Sequence, residues 1–431
     1  MPPIPFFRGR APALLLALLS PLLAGAAEPP ADLPGLLLQK GQITRAEYDS
    51  LKPATERAVQ AETDEGFRLL GGDGSWLQIG VLAQFDLVRH ADDAGDLADG
   101  SGFRRFRPSL AGRFRGDWLF RTSFEISGGA EVVDAWVSYR GFAPLAITVG
   151  NFLQPDSLES LSSDKYNAFL ERALPFAFAV SRAPGIAVGY HRPHWSLGAG
   201  AFTEPPAVEP SGDEGGGITS RLTWAPFVAE GRSLHTGLSA YRRWPTQDNA
   251  GAGRTTVRFR ARPESALTAE RFVDTGAIAG ARHYDVLNPE FGATAGALWL
   301  QGEYVHVRVA RDTGARLDFT GWYAQAVYAL TGERRAYRSE RATFEGPKVR
   351  RELGRDGGPG AWELALRLSE LDLSDAGIDG GRLRDLSAGV NLYPNPLLRL
   401  SANVVRVLAT DGGPRAGDTP TLYQLRLQLG Y

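Results

Sequence analysis

The chain has 431 residues, 47 Lys+Arg against 49 Asp+Glu, a formal net charge of -2 and no cysteine. That balance excludes the basic footprint of a nucleic-acid binder, and the missing thiols exclude disulfide staples and Cys-based metal sites. Beyond the N-terminus no apolar run is long enough to cross a bilayer as a helix, while 51 Gly and many short alternating segments point to an all-β protein.

Residues 1–27 read as a secretory signal. Arg8 and Arg10 form a positive n-region, Ala11 to Ala24 an apolar core, and Ala24-Gly25-Ala26-Ala27 a small-residue cleavage site. Pro12 and Pro21 interrupt the core, which argues against an anchor. Residues 28–74 form a periplasmic leader. It is Pro-rich up to Pro34, then helical in pattern from Leu36 to Ala61, with Thr44 and Glu47 spaced as a capping box.

From residue 75 to 431 the pattern has period two. Leu77, Ile79, Val81, Ala83, Phe85 and Leu87 share one face, with Gln78, Gln84 and Asp86 on the other. Arg105, Arg107, Ser109 and Arg113 then oppose Phe106, Leu110 and Phe114. The last strand, Thr421 to Tyr431, sets Tyr423, Leu425, Leu427, Leu429 and Tyr431 against Gln424, Arg426 and Gln428. Aromatics at the ends of apolar faces, with connections alternately short and long, predict a transmembrane antiparallel β-barrel rather than a soluble sandwich. A secreted barrel belongs in the outer membrane of a Gram-negative bacterium, where outer-membrane lipid covers its exterior.

Seventeen segments alternate, and single-chain bacterial barrels have an even strand number. Residues 254–262 are the surplus: either a wall strand, with a miscount elsewhere, or part of a pore loop spanning 245–283. In both readings Arg254, Arg258, Arg260 and Arg262 share one parity and face the lumen. A second long insertion, 153–184, is expected to fold inward. It carries Ser162, Ser163, Lys165, Arg172 and Arg182, donors suited to a partly dehydrated anion. Glu125, Asp134 and Glu303 are expected to neutralise some lumen arginines. Asp92, Asp93, Asp96 and Asp99 read as a solvated outer loop, and His191 and His194 as residues of a periplasmic turn. No nucleophile elbow or P-loop occurs, so the sequence is not that of an enzyme and calls for no cofactor or metal.

Several blocks, in order, resemble the phosphate-selective porin O and P family: FRRFRPSLAGRFRGDW, VRFRARPES with RFVDTGAI, GWYAQAVYALTGERRAY and GVNLYPNPLLRL. The resemblance implies a homotrimer of sixteen-stranded barrels that passes small anions, phosphate or other oxyanions. It also implies an arginine ladder at Arg258, Arg260 and Arg262 and a constriction pair at Arg104 and Arg105. One departure stands out. Family members that prefer phosphate carry pore-facing lysines, whereas only Lys40, Lys52, Lys165 and Lys348 occur here among 47 basic residues. That keeps open a weakly selective pore for sugars and other small solutes, with Trp and Tyr as a sugar track, and a non-conducting structural barrel.

Overall fold

The computed structural model describes residues 33–48, 60–62, 67–91, 94–95, 97–180, 182–205, 212–248 and 255–431. The signal segment, Arg254, Asp92, Asp93 and Asp96 lie outside these. In the leader a helix spans Leu33–Gln39 and stops at Gly41, whose φ of 65° suits a residue without Cβ. A new helical turn starts at Thr44, where the capping box forms: Thr44 N donates to Glu47 Oε2 at 2.7 Å and Glu47 N to Thr44 Oγ1 at 3.2 Å.

The wall strands are β1 (Trp76–Ala91), β2 (Gly100–Phe114), β3 (Trp118–Glu125), β4 (Glu131–Tyr139), β5 (Leu145–Phe152), β6 (Ala183–His191), β7 (Trp195–Thr203) and β8 (Gly216–Ala229). They continue as β9 (Arg232–Trp244), β10 (Ala281–Ala295), β11 (Leu298–Arg311), β12 (Leu317–Ala329), β13 (Ala361–Asp375), β14 (Ile378–Tyr393), β15 (Leu398–Asp411) and β16 (Thr421–Gly430). Each pairs antiparallel with its sequence neighbours, and β16 returns to β1 with Thr421 opposite Ala91 and Gly430 opposite Leu82. Closure leaves no unpaired wall edge, as strands that cross lipid require. Two short strands, Gln60–Glu62 and Phe67–Leu70, extend the same sheet beside β1.

Residues 254–262 are not in the wall. Thr256–Val257 pairs with Ile278–Ala279 and Arg260–Ala261 with Val273–Asp274, forming a hairpin within the β9–β10 connection. Turns at one end are terse, as at Arg115-Gly116-Asp117, where Arg115 and Gly116 have φ of 48° and 73°. That end is periplasmic and the end with longer loops is extracellular.

One departure from the turn rule was missed in the sequence. The β12–β13 connection, 330–360, starts from the periplasmic end and turns into the barrel. Its hairpin pairs Arg335–Arg338 with Thr343–Pro347. Gly292 of β10 makes room for it, since a Cβ there would collide with the Phe344 ring. Arg335 forks onto Glu363 of β13 at 2.9 and 2.8 Å, and its Nη1 donates to Tyr166 O at 2.9 Å on the 153–182 loop. His235 of β9 bridges Tyr337 of the hairpin at 2.8 Å and Glu290 of β10 at 2.9 Å.

A second finding concerns polarity along the strands. Over the lower part of β11 to β15, apolar residues face out and polar ones in, as in Leu300 and Tyr304 against Gln301 and Glu303. Nearer the extracellular end the pattern keeps its period but inverts. Val305, Val307, Val309, Leu317, Phe319, Leu371, Leu373, Leu383, Val405 and Val407 point inward and are buried, while His306, Arg308, Asp318, Asp372, Arg382 and Arg384 point outward. This corrects the expectation of a uniformly polar lumen. The inverted residues form one apolar cluster with Phe178 of the 153–182 loop and with Val257, Phe259 and Phe272 of the 255–280 hairpin. Each fully buried Phe contributes roughly 1.5–3 kcal/mol to holding its loop inside. Above the hydrocarbon, the outer face meets charged headgroups and no longer needs to be apolar.

Candidate functional site

The inward loops and the β1–β5 wall leave a polar cavity of about 450 Å³. Arg107, Arg121, Lys165, Arg172, Arg182 and Arg341 line it, together with Ser162 and Ser163. The loop is built to hold this face. Ser157 caps the short helix Leu158–Leu161, Leu158 and Phe169 are buried against the filled side of the barrel, and wall donors satisfy its carbonyls. Asn391 and Arg399 donate to Ala168 O at 2.9 and 3.0 Å, and Arg426 donates to Leu170 O at 2.5 Å.

Arg104 and Arg105 both face the lumen because β2 bulges between them. Gln84 opposes Arg105 and Phe85 opposes Phe103, so Arg104 is the extra residue. Strict alternation cannot place two consecutive side chains on one face. Arg104 forks onto Glu171 at 2.7 and 3.0 Å, and Arg105 reaches Asp164 at 3.1 Å. Arg107 lies 3.2 Å from both Asp164 and Glu125, and Arg172 lies 2.9 Å from Asp164. Arg426 binds Asp86 at 2.6 Å and Glu171 at 3.0 Å. Burial opposes ionisation of Asp164, but Arg105, Arg172 and Arg107 outweigh it and hold that carboxyl well below the usual range. Sequence reasoning missed Asp164 and Glu171. Their only signal is that they stand in an insertion otherwise rich in donors.

On the 255–280 hairpin the alternation divides labour. Val257 and Phe259 are buried, with Phe259 edge-on to Phe178 at 5.2 Å and to Phe319 at 5.9 Å. Arg258, Arg260 and Arg262 take the opposite parity and stay accessible. Arg258 is clamped to Asp274 at 2.7 and 2.5 Å. Among the described residues, Arg260, Arg262 and Arg271 form no ion pair; Arg262 donates to Ala266 O at 3.0 Å. Burial and neighbouring arginines, Arg104 and Arg260 for Arg262, push Arg262 below its ordinary value. Burial with Arg262 and Arg260 does the same to Arg271. Three guanidiniums thus crowd together beside Arg104.

The remaining expected residues fall as follows. Ser162 Oγ donates to Leu158 O at 2.7 Å, Ser163 Oγ accepts from Lys165 N at 3.3 Å, and the Lys165 ammonium lies 5.8 Å from the Tyr166 ring centre. Asp134 binds Arg121 and Arg182 at 3.3 and 2.9 Å. Glu303 differs from expectation and, among the described residues, pairs with no arginine. It accepts from Glu159 N, Asn288 and Tyr323 at 2.6, 2.8 and 2.8 Å, because it points at the packed loop and not at the passage. Trp118, Trp195, Trp224 and Trp244 are exposed on the outer face of the wall and line no sugar track, whereas Trp136 and Tyr431 do line the cavity. Arg341 reaches the cavity from the periplasmic hairpin, a contribution no alternation pattern revealed.

A closed sixteen-stranded barrel, apolar outside over its lower band and carrying an arginine-lined cavity between inward-folded segments, is an outer-membrane porin: a channel. The family model described as "Phosphate-selective porin O and P" matches residues 78–431, and the chain belongs to that family. It is 26% identical over 363 residues to Porin O of Pseudomonas aeruginosa, covering 75% of this chain and 81% of that one. It is 31% identical over 344 residues to a Caulobacter vibrioides protein, covering 76% of this chain and 66%, just under two thirds, of that relative. Among solved structures, the anion-selective porin from Comamonas acidovorans aligns with a TM-score of 0.55 at 14% identity, covering 83% of this chain and 100% of that chain. A trimer form of OmpT from Vibrio cholerae aligns at 0.52 and 10% identity, covering 83% and 99%. At such identities these two likenesses show the fold.

Proposed function

We propose that the porin passes small anions, phosphate or other oxyanions, by passive diffusion, through a path that runs from Arg258, Arg260, Arg262 and Arg271 past Arg104, Arg105 and Arg107 to Lys165, Ser162 and Ser163. The observation that carries this reading is that Arg260, Arg262 and Arg271 stand close enough to repel one another and form no ion pair among the described residues, with Glu171 and Asp274 acting on them only from farther off. Like charges held together inside a low-dielectric wall attract anions and repel cations, and similar sites in sequence avoid a deep trap. The protein acts as a homotrimer in the outer membrane and needs no cofactor. In planar bilayers under a KCl gradient, replacing Arg260, Arg262 and Arg271 with Ala is expected to lower the anion-to-cation permeability ratio about tenfold, on the order of 1.4 kcal/mol. An unchanged reversal potential would refute the path.

A weakly selective pore is favoured by one observation. Asp164, Glu171 and Asp134 already bind most of the arginines below that crowded set. Phosphate that blocks chloride current at low concentration supports an oxyanion site, and no block supports the general pore.

A further inference from the structure

The arginine-lined cavity has an apolar side as well. Arg121 of β3, Trp136 of β4, Gly150 of β5, Gly185 of β6 and Phe202 of β7 stand in one row across the wall, each opposite the next. Trp136 shares parity with Asp134 and Ser138, which are buried on the inner face. The two glycines give the rings their space. Gly150 has a φ of 128°, and a Cβ on it would lie 2.7 Å from Trp136 Cα. A Cβ on Gly185 would lie 2.4 Å from the Phe202 ring. Phe152, Ala183 and Phe202 form a buried apolar cluster there, and Trp136 both packs against it and lines the cavity. Phe152 and Leu161 line the cavity too.

We propose that this part of the cavity binds a flat organic carboxylate, with its ring against Trp136 and its carboxylate on Arg121 and Arg182. The site rests on the anion-passing reading above and gives that path a class of solute. Inorganic phosphate has no apolar surface to set against Trp136, Phe152 and Leu161, whereas an aromatic ring leaves water and stacks on an indole. An apolar lining with a few placed polar groups is the usual make-up of a pocket for a small organic ligand. The ligand's charge follows from the rest of the lining. Seven basic side chains, Arg140 among them, face the cavity against Asp134 and Asp164. Donors remain for the carboxylate. Arg121 and Arg182 each give Nε to Asp134, at 3.3 and 2.9 Å, and among the described residues their terminal nitrogens make no hydrogen bond. Asp134 thus orients two guanidinium forks for a second oxyanion. Arg121 is the direct cross-strand partner of Trp136, so charge and ring are offered side by side.

The test is block of chloride current through the full chain in planar bilayers by benzoate, acetate or benzamide, with equilibrium dialysis of radioactive benzoate against the protein in detergent. Benzoate is expected to halve the current at a concentration at least tenfold below that of acetate, which lacks the ring, and of benzamide, which lacks the charge. W136A should weaken benzoate to the level of acetate, and R121Q/R182Q to that of benzamide. W136F, which keeps a ring, should keep most of the preference. All three variants should show the wild-type shift between boiled and unboiled gels, which reports a closed barrel. Acetate or benzamide as potent as benzoate on the wild type overturns the proposal, and so does a folded W136A that keeps the preference. An anion-selective current that benzoate does not touch sinks this site and leaves the channel reading standing. Benzoate retained in dialysis by a protein that carries no current does the reverse.

Discussion

Asp164 sits where three arginines from two elements meet, and its carboxylate decides how much positive charge the cavity presents. Arg105 and Arg107 come from β2 and Arg172 from the inward loop, all within about 3.2 Å of it. Replacing Asp164 with Asn keeps the shape and removes one negative charge. A unit charge at this range, partly screened, is worth roughly 1 kcal/mol. D164N is therefore expected to raise the anion-to-cation permeability ratio about fivefold in bilayer recordings; a fall in that ratio would mean that Asp164 faces away from the ion path. Residue by residue, the sequence told more about parity than about partners. Arg105, Arg107, Arg258, Arg260 and Arg262 follow from period two. Arg104 follows only from family likeness, because a bulge breaks the alternation that would have sent it outward. Glu303 was correctly set inside the barrel, yet alternation says nothing of whether an inward group meets water or a packed loop.

Among the elements, the 335–347 hairpin carries the clearest consequence. Phe344 is buried against Trp299 and Leu158, and Gly292 and Gly346 clear space for Phe344 and Tyr166. Replacing a buried Phe with Ala removes about 3–5 kcal/mol of packing, more than a short hairpin with two strands can restore. F344A is expected to free the hairpin, raise single-channel conductance by about half or more, and expose the Arg-rich segment to trypsin. Unaltered conductance and protection would show that the hairpin is held by Arg335 and His235 alone. This element was illegible because its strands are four and five residues long and lie among arginines that read as a solvated loop. The upper reaches of β11 to β15 hid their direction for another reason. The alternation persists there, but the surroundings of each face change from lipid to headgroup and from water to loop, so the polar side turns outward. Where the environment stays constant, as along β16 below Leu422, the pattern alone gave both faces.

At the scale of the molecule the wall has two heights. Strands β3 to β7 contain eight or nine residues, against thirteen to sixteen for β8 to β15. Eight tilted residues rise roughly 20 Å, short of the ~25 Å apolar band of an outer-membrane barrel. Their outward residues, among them Val132, Val137, Val149, Ile186 and Val188, are exposed. The proposed trimer would bring its copies together on this low side. V149R, which sets a charge on that face, is expected to turn a heat-resistant oligomer on unboiled gels into monomers that still conduct. Persistence of the oligomer would place the contact elsewhere. The grip of Arg335 on Tyr166 has a consequence of its own. It fastens a segment entering from the cell side to one descending from outside, so neither can swing away while the other stays put. The bore behaves as a ring buckled across its middle, with a width fixed jointly by both intruders, and a channel so fastened should show steady current under applied voltage and little flicker.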